Sequence, residues 1–210
     1  MATYDNIPLT WNDPLLSGAT TSGAVTLQNG GTLSYRSITS DGSSASVYGT
    51  GSFSLDHVRI DSAEAVRIGG SGNISISNSY LEATGSGSDH ADTIQAYAPG
   101  GTGNVTITNT TIVAHNTAAT AGMFVADDYA GTFTFNNVVF EGGPFGLRMH
   151  GSDDISVSLT NVYFVGPFQY NPIYLTGVNI THWENVRSAT IVDGELVPGP
   201  LIAPPFPVEG

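Results

Sequence analysis

Asn104-Val105-Thr106-Ile107-Thr108-Asn109-Thr110-Thr111-Ile112 is the stretch that decides how this chain folds. Val105 and Ile107 alternate with threonines, the two-residue period of a half-buried strand. The phrase recurs as Phe53-Ser54-Leu55-Asp56-His57, Ile74-Ser75-Ile76-Ser77-Asn78 and Phe133-Thr134-Phe135-Asn136-Asn137. It returns as Val157-Ser158-Leu159-Thr160-Asn161 and Thr181-His182-Trp183-Glu184-Asn185, with Val25-Thr26-Leu27-Gln28-Asn29 as a weaker first copy. The closing residues fall at 29, 57, 78, 109, 137, 161 and 185, and all but His57 are asparagine. A strand repeating every 20–30 residues or so predicts a solenoid of stacked turns. Equivalent residues then lie about 4.8 Å apart on neighbouring turns. A column of asparagines at that spacing can bond amide to amide. The reading is all-β: one parallel solenoid of about seven turns, with a β-sandwich as the alternative.

A second strand accompanies most copies. Ala65–Gly70, Thr93–Ala98, Met123–Asp128, Gly146–Gly151, Pro172–Gly177 and Ala189–Gly194 form this set. Val66/Ile68, Ile94/Ala96, Phe124/Ala126, Leu147/Met149 and Ile173/Leu175 are expected to point inward, leaving the opposite parity to solvent. One outward column then reads Arg67, Gln95, Val125, Arg148, Tyr174, and the next Gly69, Tyr97, Asp127, His150, Thr176. Gln95, Tyr97, Asp127, Arg148, His150 and Tyr174 would share a patch roughly 10–15 Å across. Asp89-His90-Ala91-Asp92 lies beside it, after a Gly/Ser-rich insertion, and His90 and Asp92 could orient a ligand there.

The ends differ from the middle. Residues 1–24 lack the repeat, and their large apolar side chains are expected to cap the N-terminal end of the core. The solenoid would run over residues 25–195. Residues 196–210 contain five prolines and read as a tail.

Composition narrows the function. The formal net charge is −13, with five arginines and no lysine, which argues against a nucleic-acid surface. There is no cysteine, hence no thiol chemistry and no disulfide framework. No apolar run is long enough to cross a membrane, and no signal peptide is visible.

With its asparagine turns and glycine-rich strands, the chain resembles the right-handed parallel β-helix proteins of the pectate-lyase-like superfamily. The resemblance covers residues from about 25 to 195. His90-Ala91-Asp92-Thr93-Ile94-Gln95 is similar to an H-x-D-x-I-Q phrase of that superfamily. The resemblance implies a polysaccharide held in a groove along one sheet, and the acidic, Thr/Ser/Asn/Gly-rich, cysteine-free composition looks like that of a secreted bacterial or phage protein. A monomer with no cofactor is expected, with a calcium ion at the Asp153-Asp154 turn as an option. Asp92, Asp127-Asp128 and His150-Gly151 imitate the order of catalytic residues in polygalacturonase-like hydrolases. Strand register sets Asp92 and Asp127 about 16 Å apart, beyond the roughly 6.5–9.5 Å of inverting carboxylates. Asp127 with Asp128, Asp153 or Glu141 stays open as a hydrolase pair.

A lyase needs other groups. Arg148 or Arg67, helped by Gln95, could neutralise a uronate carboxylate. His150 could take the C5 proton, since histidine titrates near neutral pH. Asp127 could orient its imidazole, and Tyr97 or Tyr174 could protonate the leaving oxygen. Expected as catalytic are thus His150, Arg148, Asp127 and Tyr97; expected to hold substrate are Gln95, Tyr174, Arg67, His90, Asp92 and Asp128. A non-catalytic carbohydrate-binding module is the competing class.

Overall fold

The alternating strand phrases stack as expected. The structure, a computed structural model, describes residues 6–42, 44–85, 91–115, 119–126 and 128–209, and leaves aside the side chains of 151–153. It is a single parallel β-solenoid of about six turns, close to the seven expected. Each turn lays down three faces. The first face stacks Val25–Leu27, Val47–Gly49, Val66–Ile68, Ile94–Ala96, Ala121–Val125 and the starts of Phe145–Val165 and Asn171–Glu184. The second face carries the repeated phrase, with Leu33, Leu55, Ile76, Ile107, Phe135 and Leu159 in one inward column. The third follows a sharp bend and stacks Ile60, Leu81, Ile112, Phe140 and Phe164 inward. All of these but Leu33 and Phe164 have no measurable exposure, and the Phe140 and Phe164 rings stack 5.2 Å apart. Burying such side chains stabilises by roughly 1.5–3 kcal/mol each.

The bend between the second and third faces explains the asparagines. Tyr35, His57, Asn78, Asn109, Asn137, Asn161 and Asn185 all adopt positive φ, between 48° and 59°. That conformation costs most L-residues about 1–2 kcal/mol, and asparagine visits it most readily by hydrogen-bonding locally. The side chains form a ladder. Asn78 donates to Asp56 at 2.8 Å, Asn109 to Asn78 at 3.1 Å, Asn137 to Asn109 at 2.9 Å and Asn185 to Asn161 at 2.7 Å. Between Asn137 and Asn161 it breaks, and Asn137 Oδ1 is buried without a partner. The first turn corrects the expected column: Tyr35, not Asn29, is level with His57, and their rings stack at 4.6 Å. Asn29 instead accepts from the Ser52 N–H at a turn before the second face.

The N-terminal apolar residues lie along the solenoid, outside the third face. Ile7 packs with Val139, Tyr163 and Val165, while Leu16 and Trp11 pack with Tyr80 and Val113. Arg59 ties the strap down, donating to the Trp11 carbonyl at 2.8 Å with its guanidinium over the indole at 4.9 Å. At the other end, Arg187–Val192 continues the third face instead of joining the first-face set. It folds back on Glu195–Leu201 through Asp193-Gly194, both at positive φ. Asp-Gly is a strong signal for a two-residue hairpin turn. The proline-rich tail then lies against the last turn: Trp183 donates to the Ile202 carbonyl, and Glu209 N–H to the Ile180 carbonyl.

Candidate functional site

Backbone pairing on the first face sets one outward column as Thr26, Tyr48, Arg67, Gln95, Phe124, Arg148 and Tyr174. Four of the five expected members are there; the fifth is Phe124, not Val125. Met123 and Val125 are fully buried, so the inward pair is one residue earlier than Phe124/Ala126. Met123-Phe124-Val125-Ala126 is apolar throughout and carries no two-residue signal, so only pairing with the neighbouring turns settles its parity. Counting on from Val125↔Met149 brings Ala126 level with His150, the place expected for Asp127. Asp127 and His90 lie outside the described residues.

Arg148 is the centre of the column. Its guanidinium carbon is 4.6 Å from the centre of the Phe124 ring, 5.5 Å from Phe145 and 5.9 Å from Tyr174. Its Nε is buried with no hydrogen-bond partner. The other arginines are anchored: Arg36 on the Ser34 carbonyl, Arg59 on that of Trp11, Arg187 on that of Gly199, and Arg67 on a carboxylate. Arg67 Nε and Nη2 bind both oxygens of Glu64 at 2.7 and 2.5 Å, and Glu64 is 1% exposed. Thus, among the described residues, Arg148 is the arginine whose charge meets rings rather than acceptors. Aromatic faces attract a cation but leave its N–H donors unused.

His150 is exposed, two residues along the same strand from Arg148, a step of about 6.6 Å. Tyr174 is level with Arg148 on the next turn. Phe145 and Tyr170 extend the aromatic group beyond it, with ring centres 5.2 Å apart and Tyr170 largely exposed. Tyr97 stands two turns from His150 at the other end of its column, level with Gly69. Gln95 is nearly buried in the floor, and Asp128 is exposed beyond the end of its strand.

Asp92 corrects its expected role. It has no exposure and does not reach a ligand in the groove. Its Oδ1 accepts from the Ala121 N–H at 2.7 Å, securing the start of the next turn's strand, and its Oδ2 is buried without a partner. Burial pushes its carboxyl well above the usual carboxylate range. The Ala121 hydrogen bond opposes this, Glu64 adds to it, and Arg148 and Arg67 oppose it.

The hydrolase alternative fares differently. Glu141 lies on the third face, away from Asp128, in a column with Asp61 and Glu82. His115 bonds Glu82 there at 2.6 Å. Burial, then the neighbouring Glu82, raises the carboxyls of Asp61 and Glu141, and His115 acts against both. Among the described residues no group of three or more acidic or histidine side chains could hold a metal ion, and no helix is long and apolar enough to cross a membrane.

Tyr48, Phe145 and Tyr170 stand on this face without being singled out in the sequence, and Phe124, expected inward, joins them. Val47-Tyr48-Gly49 is too short to show alternation, and Phe145 sits one residue before the expected strand. No protein-family model, no curated protein and no solved structure matches this chain, so its fold rests on the parallel solenoid itself and its function on the chemistry of this face.

Proposed function

We propose that the chain is a polysaccharide lyase of the pectate-lyase-like kind, acting on a uronate-containing glycan laid along the first face. The observation that carries this reading is the Arg148 guanidinium, held between aromatic rings with no hydrogen-bond partner on its Nε among the described residues, and with exposed His150 two residues away. A guanidinium with free donors matches a carboxylate bidentately. Neutralising the uronate carboxylate acidifies its C5 proton. His150 takes that proton, the C5–H electron pair forms the C4=C5 double bond, and the C4–O bond breaks. Tyr174, beside Arg148, gives a proton to the leaving oxygen. Tyr97 is too far along its column for that step and serves the bound chain instead. Nothing described orients the His150 imidazole as Asp127 was expected to. A polysaccharide substrate implies work outside the cell.

The test is a substrate screen on uronate polysaccharides. A lyase gives unsaturated, ultraviolet-absorbing ends; a hydrolase gives reducing ends without that absorbance; a binding module gives neither. On the best substrate, His150→Ala should lose about 10²–10⁴-fold in turnover. Arg148→Ala should weaken binding as well, most at low salt. Full activity in His150→Ala would place the chemistry elsewhere.

A further inference from the structure

At the N-terminal end of the same face is a cavity of about 760 Å³, lined by Thr26, Tyr48, Arg67, Gly69, Tyr97 and Pro99 among others. Its two tyrosines are 38% and 41% exposed. The Tyr48 ring lies directly over Gly69, where any side chain would collide with it. Gly69 is level with Tyr97 on the following turn, so the glycine lets one ring reach across to a row next to the other. Both rings are partly exposed to the cavity, and Tyr48 stands close enough to Arg67 to interact with its charge. An aromatic face with a polar tip suits a ligand that is apolar on one side and hydroxylated at its rim.

The cavity's charge is already spent. Arg67 is the charged residue in its wall, and its fork is closed on buried Glu64. The unengaged guanidinium of the face, Arg148, stands three turns further on, about 14 Å away along the axis. The chain around them carries a formal net charge of −13. A glycan charged on every ring would be repelled by that field and, among the described residues, would meet on this face one arginine without a hydrogen-bonded partner.

We propose that the Tyr48–Tyr97 cavity is a subsite for an uncharged sugar ring, so that the groove selects largely neutral glycans bearing sparse uronates over uronate homopolymers. This deepens the reading of Arg148 as the anion site and rests on it. The subsite takes the ring by stacking and hydroxyl hydrogen bonds, and Arg148 takes the isolated carboxylate. Electrostatic attraction to such a ligand is confined to the Arg148 contact, so its affinity falls with salt by no more than that one contact contributes.

The test is calorimetric titration of the full chain with three probes: a neutral xylo-oligosaccharide, the same oligosaccharide with one glucuronate branch, and a galacturonate hexamer. The branched probe should bind tightest and the hexamer weakest at low salt. Tyr48→Ala and Tyr97→Ala should each lower affinity for the neutral and branched probes by about tenfold, while Tyr48→Phe keeps most of it. Both side chains are partly exposed, so melting temperatures should stay near the parent value. Arg148→Ala should abolish the advantage of the branched over the neutral probe. If that advantage survives Arg148→Ala, the anion-site reading falls. If the advantage depends on Arg148 but the tyrosine variants bind all probes like the parent, the subsite is wrong. Tightest binding of the hexamer at low salt, or no binding of any probe, overturns it as well.

Discussion

Replacing Asn109 by alanine should cost about 2–4 kcal/mol of folding stability. Asn109 donates to Asn78 at 3.1 Å and accepts from Asn137 at 2.9 Å, so truncation removes two ladder bonds. At about 0.5–1.5 kcal/mol net for each bond, the ladder term is about 1–3 kcal/mol. Its backbone φ is 48°, and alanine there adds about 1 kcal/mol of left-handed strain that asparagine partly escapes. Asn109→Gly separates the two terms: it loses the same bonds but takes the positive φ freely, and should be about 1 kcal/mol more stable than Asn109→Ala. Asn161→Gly is an internal control, because the ladder is broken above it and only the 2.7 Å bond from Asn185 is lost. It should cost about half as much as Asn109→Gly. Equilibrium unfolding in urea, with equal slopes across the set, reads these differences directly. If alanine equals or exceeds glycine at 109, backbone strain is not what selects the column. If both variants stay within about 0.5 kcal/mol of the parent, the ladder contributes nothing.

Phe135→Ala, at a side chain with no exposure in the second-face column, should cost about 3–5 kcal/mol, and an unchanged melting temperature would mean it does not face the core. Arg67→Ala should cost up to about 3 kcal/mol by removing the bidentate guanidinium from buried Glu64, whereas Arg148→Ala should melt close to the parent; equal melting temperatures would refute the pairing argument. Asp92, Asp61 and Glu141 all have raised folded pKa values, so they hold protons more tightly folded than unfolded. Their contribution is full below the ordinary carboxylate range of about 4 and is lost as pH rises through the raised values. Melting temperature should therefore decline from mildly acidic pH toward neutrality, and Asp92→Asn should flatten that decline; an unchanged slope would show that Asp92 is not protonated in the native state.

How much of this was legible beforehand depends on whether a residue's role is set by local periodicity or by pairing across turns. Val105, Ile107 and Asn109 announce their places because alternation and left-handed backbone are local properties, repeated once per turn. The repeat alone yielded the parallel solenoid, the asparagine corner, the inward columns of the second face and the outward column that joins Arg67, Gln95, Arg148 and Tyr174. Other placements had no local signal. Met123–Ala126 is uniformly apolar, so its parity, and with it the place of Phe124, waited on register with Ile94 and Leu147. The N-terminal strap reads as an end cap because nothing in Ile7, Trp11 or Leu16 says which apolar surface each will meet. Two guanidiniums in one column look alike in sequence; tertiary structure alone decided that Arg67 is closed on Glu64 while Arg148 stays open among rings. A charge is spent or free according to what folds beside it in space, and strand periodicity does not encode that.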